Sequence, residues 1–191
     1  MSATLREPMT FEEFLAWEDR QELRYEYDGV HVHAMTGGTI LHDDVTFGVR
    51  RALDVALKGK PCRHHGPNAM IRTSERKARY PDALITCKPI DGKSKLAPEP
   101  VEVFEVISPG SAGTDRIIKL REYKGVPSIQ RYVILEQDAV AATVLERRGE
   151  DWVAHGLTSG DVLAMPEVGA TVAMDDIYDG IELPAQEDDG R

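Results

Sequence analysis

Two carboxylates in apolar surroundings are the side chains of this sequence best suited to chemistry. Asp82 follows a proline in YPDALIT, and Glu105 lies among apolar residues in VEVFEVIS. Both stretches have the composition of strands buried on both faces. An unpaired buried carboxylate is costly, so each acid should meet a cation, hydrogen-bond donors or a metal. On neighbouring strands, the two acids would supply the oxygen ligands that Mg²⁺ (or Mn²⁺) prefers. For either acid alone, a salt bridge to an arginine is the alternative.

Three other charged residues lie near these two acids in the predicted elements. Lys119, on a helix after the loop SPGSAG, could orient an attacking water and stabilise charge on a scissile phosphate. A solvated helix lysine is the alternative. Glu26, in the hairpin RYEYDG, could be a further ligand or could orient the water; an exposed hairpin acid is equally consistent. Glu102 begins the same strand as Glu105 and is expected at the surface.

The elements that must position these residues follow from periodicity, caps and turns. In chain order they are a helix from about residue 10, a hairpin across Asp28-Gly29, a long helix over 40–57, strands near 62–65, in NAMIRTS, over 80–87 and over 101–107, a helix over 115–124, a hairpin across Gln137-Asp138, a strand in DWVAHGL and a short element in MDDIYDGI. The pattern predicts one α/β domain of mixed α+β type over residues 1–184, with 185–191 as a disordered tail.

Charge is unevenly distributed along the 191 residues, whose net charge is −10. Residues 50–131 hold 17 basic and nine acidic side chains, whereas both flanking segments are acidic. Both candidate strands lie in the basic segment, so the overall negative charge does not exclude a nucleic-acid substrate. Within that segment, RTSERKAR could follow a phosphate backbone, or it could be a solvated turn.

The two cysteines and the apolar runs bear on location. Cys62 and Cys87 have no metal-ligand spacing and are expected to be free thiols in a reducing compartment. No apolar run approaches the roughly 20 residues needed to span a bilayer, and the N-terminus lacks the layout of a secretory signal. The expectation is a cytoplasmic protein without membrane association.

The order and spacing of several short motifs resemble a large bacterial family of restriction-endonuclease-like domains in the PD-(D/E)XK nuclease superfamily. The motifs are RYEYDG, MTGGT, YPDALI and VEVFEVISPGS, followed by Lys119 and Tyr123, and the resemblance covers residues 8–184. It implies a mixed central sheet with helices on both sides, Mg²⁺ or Mn²⁺ at the acids, and phosphodiester hydrolysis.

The resemblance also implies individual roles. Asp82 would be the aspartate of the "PD" motif and Glu105 the second acid, with 22 residues between them. Glu26 matches the acid that an N-terminal element often supplies. The superfamily lysine is expected two residues after the second acid, where this chain has Ile107. Lys119, on the following helix, would take over its role.

The sequence therefore predicts a metal-dependent DNA endonuclease. Asp82 and Glu105 would bind the metal, Lys119 would orient water, and Glu26 would assist. Cutting both strands of a duplex would need two sites, so a homodimer is expected. The alternative is a catalytically inactive module that keeps the fold to bind nucleic acid or a protein partner. The sequence names neither the recognition site nor such a partner.

Overall fold

A mixed central sheet is the main element of the computed structural model, which describes residues 2–4, 8–35, 37–107 and 113–185. The loop at 108–112 and the expected tail beyond 185 lie outside these residues. The helices are α1 (Phe11–Glu18), α2 (Ile40–Ala56), α3 (Leu120–Lys124), which continues a π-helical segment (Thr114–Lys119), and α4 (Met174–Tyr178). The strands are β1 (Ser2–Thr4), β2 (Tyr25–Tyr27), β3 (His31–Ala34), β4 (Arg63–His65), β5 (Ile71–Arg72), β6 (Ala78–Arg79), β7 (Ala83–Thr86), β8 (Pro100–Ile107), β9 (Arg131–Glu136), β10 (Ala141–Arg148), β11 (Asp151–Thr158), β12 (Val162–Met165) and β13 (Ala170–Ala173).

The central sheet has the strand order β11-β10-β9-β8-β7-β4. The pair β8 and β9 is parallel, and the other described neighbours are antiparallel, so the predicted mixed sheet is confirmed. A second sheet has the order β1-β3-β2-β6-β5 and contains the predicted N-terminal hairpin. Strands β12 and β13 form a separate hairpin.

Helices cover both faces of the central sheet, which explains the nearly continuous apolar composition of its middle strands. Phe104 and Val106 of β8 pack on the face covered by α2, α4 and the β12–β13 hairpin. Val103 and Ile107 alternate with them and pack on the face that includes Tyr123 of α3. Glu105 lies between Val103 and Ile107 in the strand and so shares the face of α3.

Helix α2 is the longest described helix and matches its prediction closely. Thr39 caps it by accepting a hydrogen bond from the backbone N–H of His42. Gly48 allows α4 to approach, because a Cβ at this position would lie 1.9 Å from the carbonyl oxygen of Ile177. The capping box predicted for α1 is also present, with Thr10 and Glu13 bonded reciprocally.

The expectation about the thiols was wrong, and the third helix has an irregular start. Cys62 and Cys87 form a disulfide instead of remaining free thiols. The cause is strand pairing: Arg63 of β4 lies opposite Thr86 of β7, so the next residues outward come together. The helix predicted over 115–124 is present, but it begins as the π-helical segment and becomes α-helical only at Leu120.

Glu102 is fully buried instead of lying at the surface. It is opposite Arg131 of the parallel strand β9, and the charge of Glu167, in the turn between β12 and β13, acts on it. The sequence offered no sign that this hairpin would cover the beginning of β8.

Within the described part of the chain, the helices are too short or too polar to cross a membrane.

Candidate active site

The pairing of β7 with β8 places the two predicted metal-binding acids side by side. Ala83 lies opposite Phe104, so the next step of the antiparallel register sets Asp82 opposite Glu105. Asp82 precedes β7 directly, and its Oδ2 accepts a hydrogen bond of 2.7 Å from the backbone N–H of Val106. The prediction that neighbouring strands carry the two acids is therefore confirmed.

Asp82 lies at the edge of the buried region. Its side chain is 17% exposed, and Nε2 of His42, in the first turn of α2, is 3.3 Å from its Oδ2. Its other oxygen, Oδ1, accepts no hydrogen bond from the described residues. Asp82 thus combines a fixed orientation with an oxygen that remains available to a ligand.

Glu105 is held by two donors from the following helix. Its side chain is 4% exposed, and its Oε1 accepts hydrogen bonds from Lys119 Nζ at 2.9 Å and from the Tyr123 hydroxyl at 2.6 Å. Lys119 and Tyr123 are four residues apart and so project from the same side of their segment. Burial, and then the negative charge of Glu105, raise the pKa of Tyr123 well above its usual value, which keeps the hydroxyl protonated as a donor.

Glu26 joins the same group of side chains from the second sheet. It accepts hydrogen bonds from the backbone N–H of Tyr80 and from Nη1 of Arg79, each at 3.1 Å. Its Oε1 is also 3.7 Å from Lys119 Nζ, so the lysine lies between two carboxylates. The side chains of Glu26 and Lys119 are only 14% and 10% exposed, so an exposed hairpin acid and a solvated helix lysine are both wrong. The structure brings all four candidate residues, Glu26, Asp82, Glu105 and Lys119, into one region.

A buried ion pair that sequence reasoning missed supports this region. Arg79 donates two hydrogen bonds to Glu122, at 2.7 and 2.9 Å, and a third to Glu26. Burial alone would raise the pKa of Glu122, but the hydrogen bonds and charge of Arg79 bring it below its usual value. The sequence did contain a hint of this ion pair. Arg79 directly precedes Tyr80 in a predicted buried region, and Glu122 directly precedes Tyr123, so both charged side chains are close to apolar surroundings.

The basic segment RTSERKAR is largely engaged within the protein. Arg72 lies over the ring of Phe11, and Lys77 and Arg79 both bind Glu122. These three cations serve internal contacts, which do not support phosphate contacts at those positions, whereas Ser74, Glu75 and Arg76 form an exposed turn between β5 and β6, as the alternative expected.

An open cavity of about 380 Å³ gives access to Asp82. Its walls include His42, Arg24, Pro67 and the glycines at 37–38. A substrate could therefore approach the exposed side of Asp82 between the start of α2 and the segment before it.

The carboxylate oxygens of Asp82 and Glu105 are ligands that suit a hard cation such as Mg²⁺. No cluster of three or more His, Cys, Asp or Glu suitable for a metal occurs among the described residues. Mg²⁺, however, is usually held by one or two carboxylates, with waters and substrate oxygens completing its shell. Asp82 and Glu105 are two such carboxylates on adjacent strands, with one oxygen of Asp82 available, so the residues fit.

Comparison with known proteins decides the family. Residues 11–175 match the family model Uma2, described as "Putative restriction endonuclease". The chain belongs to the Uma2 family. The expected relationship to restriction-endonuclease-like domains is thereby confirmed.

Two cyanobacterial relatives of this Uma2 protein come from Synechocystis sp. PCC 6803. The uncharacterized protein slr1290 is 30% identical over 173 residues, covering 89% of this chain and 91% of its own. The uncharacterized protein sll1609 is 23% identical over 133 residues, covering 68% and 75%.

A solved structure shares the fold. The crystal structure of a "putative nuclease belonging to DUF820" from Anabaena variabilis superposes with a TM-score of 0.69 at 15% identity, covering 90% of this chain and 98% of the other. At this identity the likeness concerns the fold, and it confirms the restriction-endonuclease-like architecture predicted from the sequence.

Proposed function

We propose that this Uma2 protein is a metal-dependent endonuclease that hydrolyses phosphodiester bonds in DNA. The observation that carries the proposal is the position of Lys119, 2.9 Å from Glu105 and 3.7 Å from Glu26, with Glu105 opposite Asp82, which lines an open cavity. Three acids and a lysine from four different parts of the chain lie together, whereas an ordinary ion pair would need only one acid and one base. Family membership supports a nuclease activity.

The proposed metal is Mg²⁺ or Mn²⁺, held by Asp82 and Glu105. When bound, such an ion stabilises charge on a phosphoryl group and makes a bound water more acidic. The hydrogen bond from the Val106 N–H fixes Asp82 for this role, and the Tyr123 hydroxyl fixes Glu105.

The residues of the chain would share the remaining work. Lys119 would orient the attacking water and stabilise the negative charge that develops on the phosphate, because its ammonium group has three donors. Glu26 would hold Lys119 in place and accept a proton from the water. The water oxygen forms a bond to phosphorus, the bond to the leaving oxygen breaks, and that oxygen takes up a proton from solvent.

Cleavage of supercoiled plasmid, with metal binding measured separately by calorimetry, tests the proposal. The variants Asp82→Asn, Glu105→Gln and Lys119→Gln remove charge with little change in shape. We expect each to lower Mg²⁺- or Mn²⁺-dependent cleavage at least about 100-fold, since each removes a group acting on the transition state. The two acid variants should also lose Mn²⁺ binding.

The matched control is Glu150→Gln, which neutralises an exposed acid in the turn after β10 and should cleave like the parent protein. Circular dichroism must show that every variant is folded. A folded parent that neither binds Mn²⁺ nor cleaves DNA would refute the enzyme and leave a binding module with the nuclease fold. The homodimer stays a prediction, which light scattering in solution checks.

A further inference from the structure

A second cavity, of about 340 Å³, is next to the cavity at Asp82, with which it shares Pro67, and it is lined by basic residues. Arg50, His65 and Lys95 line it together with Asn68 and Ser94, and none of its described lining residues is acidic. Such a set of donors without a carboxylate suits an oxyanion.

Arg50 is the basic residue of this cavity for which the described residues supply no hydrogen-bond or ion-pair partner. It projects from α2 and is half-buried, and no described residue forms a hydrogen bond or ion pair with it. Its Nε is buried and has no hydrogen-bond partner in the part of the chain that the structure describes. Because buried donors are normally satisfied, this guanidinium points to an acceptor that comes from outside the chain.

The backbone is shaped to admit this guanidinium. A Cβ on Gly66 would lie 2.8 Å from both Cζ and Nε of Arg50. Any larger residue at this position would therefore make the end of the Arg50 side chain shift.

The other two basic residues of the cavity add little net positive charge: Lys95 is ion-paired, and His65 is neutral. Lys95 binds Glu18 at 2.8 Å and also Asp19. Burial, and then the charges of His64 and Arg63, lower the pKa of His65, so at neutral pH its ring supplies an N–H donor without a charge. Arg50 thus supplies the uncompensated positive charge of the cavity.

The cavity is adjacent to the candidate active site. Pro67 borders both this cavity and the one at Asp82. His65 of β4 lies opposite Leu84 of β7, the strand that Asp82 precedes. We propose that Arg50 and its cavity bind a backbone phosphate of the nucleic-acid strand next to the phosphate attacked at Asp82. This assignment rests on the proposed function for the identity of the strand.

Binding, measured apart from cleavage, tests the assignment. Fluorescence anisotropy of labelled duplex DNA is followed over a salt series, with Ca²⁺ replacing Mg²⁺. Arg50→Gln should weaken binding about tenfold and reduce the slope of log K against log salt by about 0.9, the value for one lost phosphate contact. Gly66→Ala keeps the charge and should weaken binding by a smaller factor, because the guanidinium must shift to admit the methyl group.

The matched control is Lys58→Gln, which removes the same unit charge from an exposed position just after α2 and should bind within about twofold of the parent. Folding of all variants is checked by thermal denaturation. If Arg50→Gln and Gly66→Ala bind DNA like this control, the phosphate site is overturned, whatever the cleavage assay shows.

Titration with inorganic phosphate, followed by phosphorus NMR, separates the two sources of the ligand. A parent that binds DNA through Arg50 but cleaves none would retain the phosphate site and refute only the nuclease. A parent that binds inorganic phosphate through Arg50 but no DNA would overturn the nucleic-acid strand as ligand. A parent that binds neither overturns the site itself.

Discussion

Lys119, in the proposed site, comes from a different element than the lysine that the superfamily resemblance expects. Ile107 occupies the position where the superfamily resemblance expects lysine, and it packs in the apolar cluster of Tyr123 and Tyr132. Lys119 reaches the carboxylate of Glu105 from the next element. A long side chain permits this because its terminal nitrogen can arrive from a different anchor.

Glu102 and Glu105 show how surroundings give different properties to the same side chain. Glu105 accepts hydrogen bonds from Lys119 and Tyr123, whereas both carboxylate oxygens of Glu102 are buried without a hydrogen bond from a described residue. Burial, and then the charge of Glu167, raise the pKa of Glu102 to about 8, although Arg131 opposes the change. The guanidinium of Arg131 forms ion pairs with Glu146 and Glu167.

Replacing Glu102 by glutamine should therefore stabilise the protein increasingly as the pH rises. A raised pKa in the folded state means that folded Glu102 keeps a proton that the unfolded chain has lost, so the free energy of unfolding falls with rising pH up to about 8. Glutamine does not titrate. In urea denaturation we expect the advantage of Glu102→Gln to widen by more than about 1 kcal/mol between roughly pH 5 and pH 9.

Glu150→Gln is the control, since that acid is exposed and should give a difference from the parent that hardly changes with pH. An advantage of Glu102→Gln that is equally flat over this range would show that Glu102 is ionised throughout.

At the scale of the elements, α2 has both a structural and a functional side. Val45, Val49 and Leu53 pack in the core, His42 contacts Asp82, and Arg50 lines the second cavity. Gly48 sets how closely α4 can approach this helix. A change in the crossing of α2 and α4 could thus alter both the core and the cavity.

Gly48→Ala should destabilise the protein even though alanine favours helix by up to about 1 kcal/mol. The added methyl group would overlap the backbone oxygen of Ile177, and overpacking of this kind costs about 1–3 kcal/mol or more. We expect a net loss near 2 kcal/mol and a melting temperature lower by roughly 4–8 °C, measured by circular dichroism.

Gly92→Ala provides the matched comparison, since a Cβ there would meet nothing within 4 Å and the backbone is not left-handed. Equal melting temperatures for the two variants would show that α2 and α4 are not in close contact.

At the scale of the whole molecule, the candidate site lies where the two larger sheets meet. Glu26 and Arg79 come from the second sheet, β1-β3-β2-β6-β5. Glu105 lies in the central sheet, and Asp82 directly precedes its strand β7. The short segment from β6 to β7 joins the two sheets and also carries Tyr80 and Asp82. Docking of the sheets is therefore what assembles the acids.

The disulfide between Cys62 and Cys87 fastens the outer strand β4 to β7 in this assembly. Replacing both cysteines by serine should lower the free energy of unfolding by about 2–4 kcal/mol, because the unfolded chain loses a crosslink over 25 residues. Urea denaturation measures the loss. Reductant should weaken the parent to the level of the variant and leave the variant unchanged. Two reactive thiols in unfolded, unreduced parent protein would contradict the disulfide.

The sequence by itself predicted most strands of the central sheet, the longest helix, the family and the four candidate residues, but not the strands β1, β6, β12 and β13. Alternation, caps and turns are local signals, and the motifs around Asp82 and Glu105 are contiguous in the chain. The boundaries of α2 and the hairpin of β2 and β3 followed from such signals alone.

Only the tertiary structure decided which charges pair and which remain without partners. The ion pair of Arg79 with Glu122 and the disulfide each join residues distant in sequence. The burial of Glu102, and the lack of a partner for Arg50 among the described residues, likewise depend on distant segments. Hydrogen bonding and desolvation depend on atoms within a few ångströms, and no local pattern reveals which distant segment will supply them.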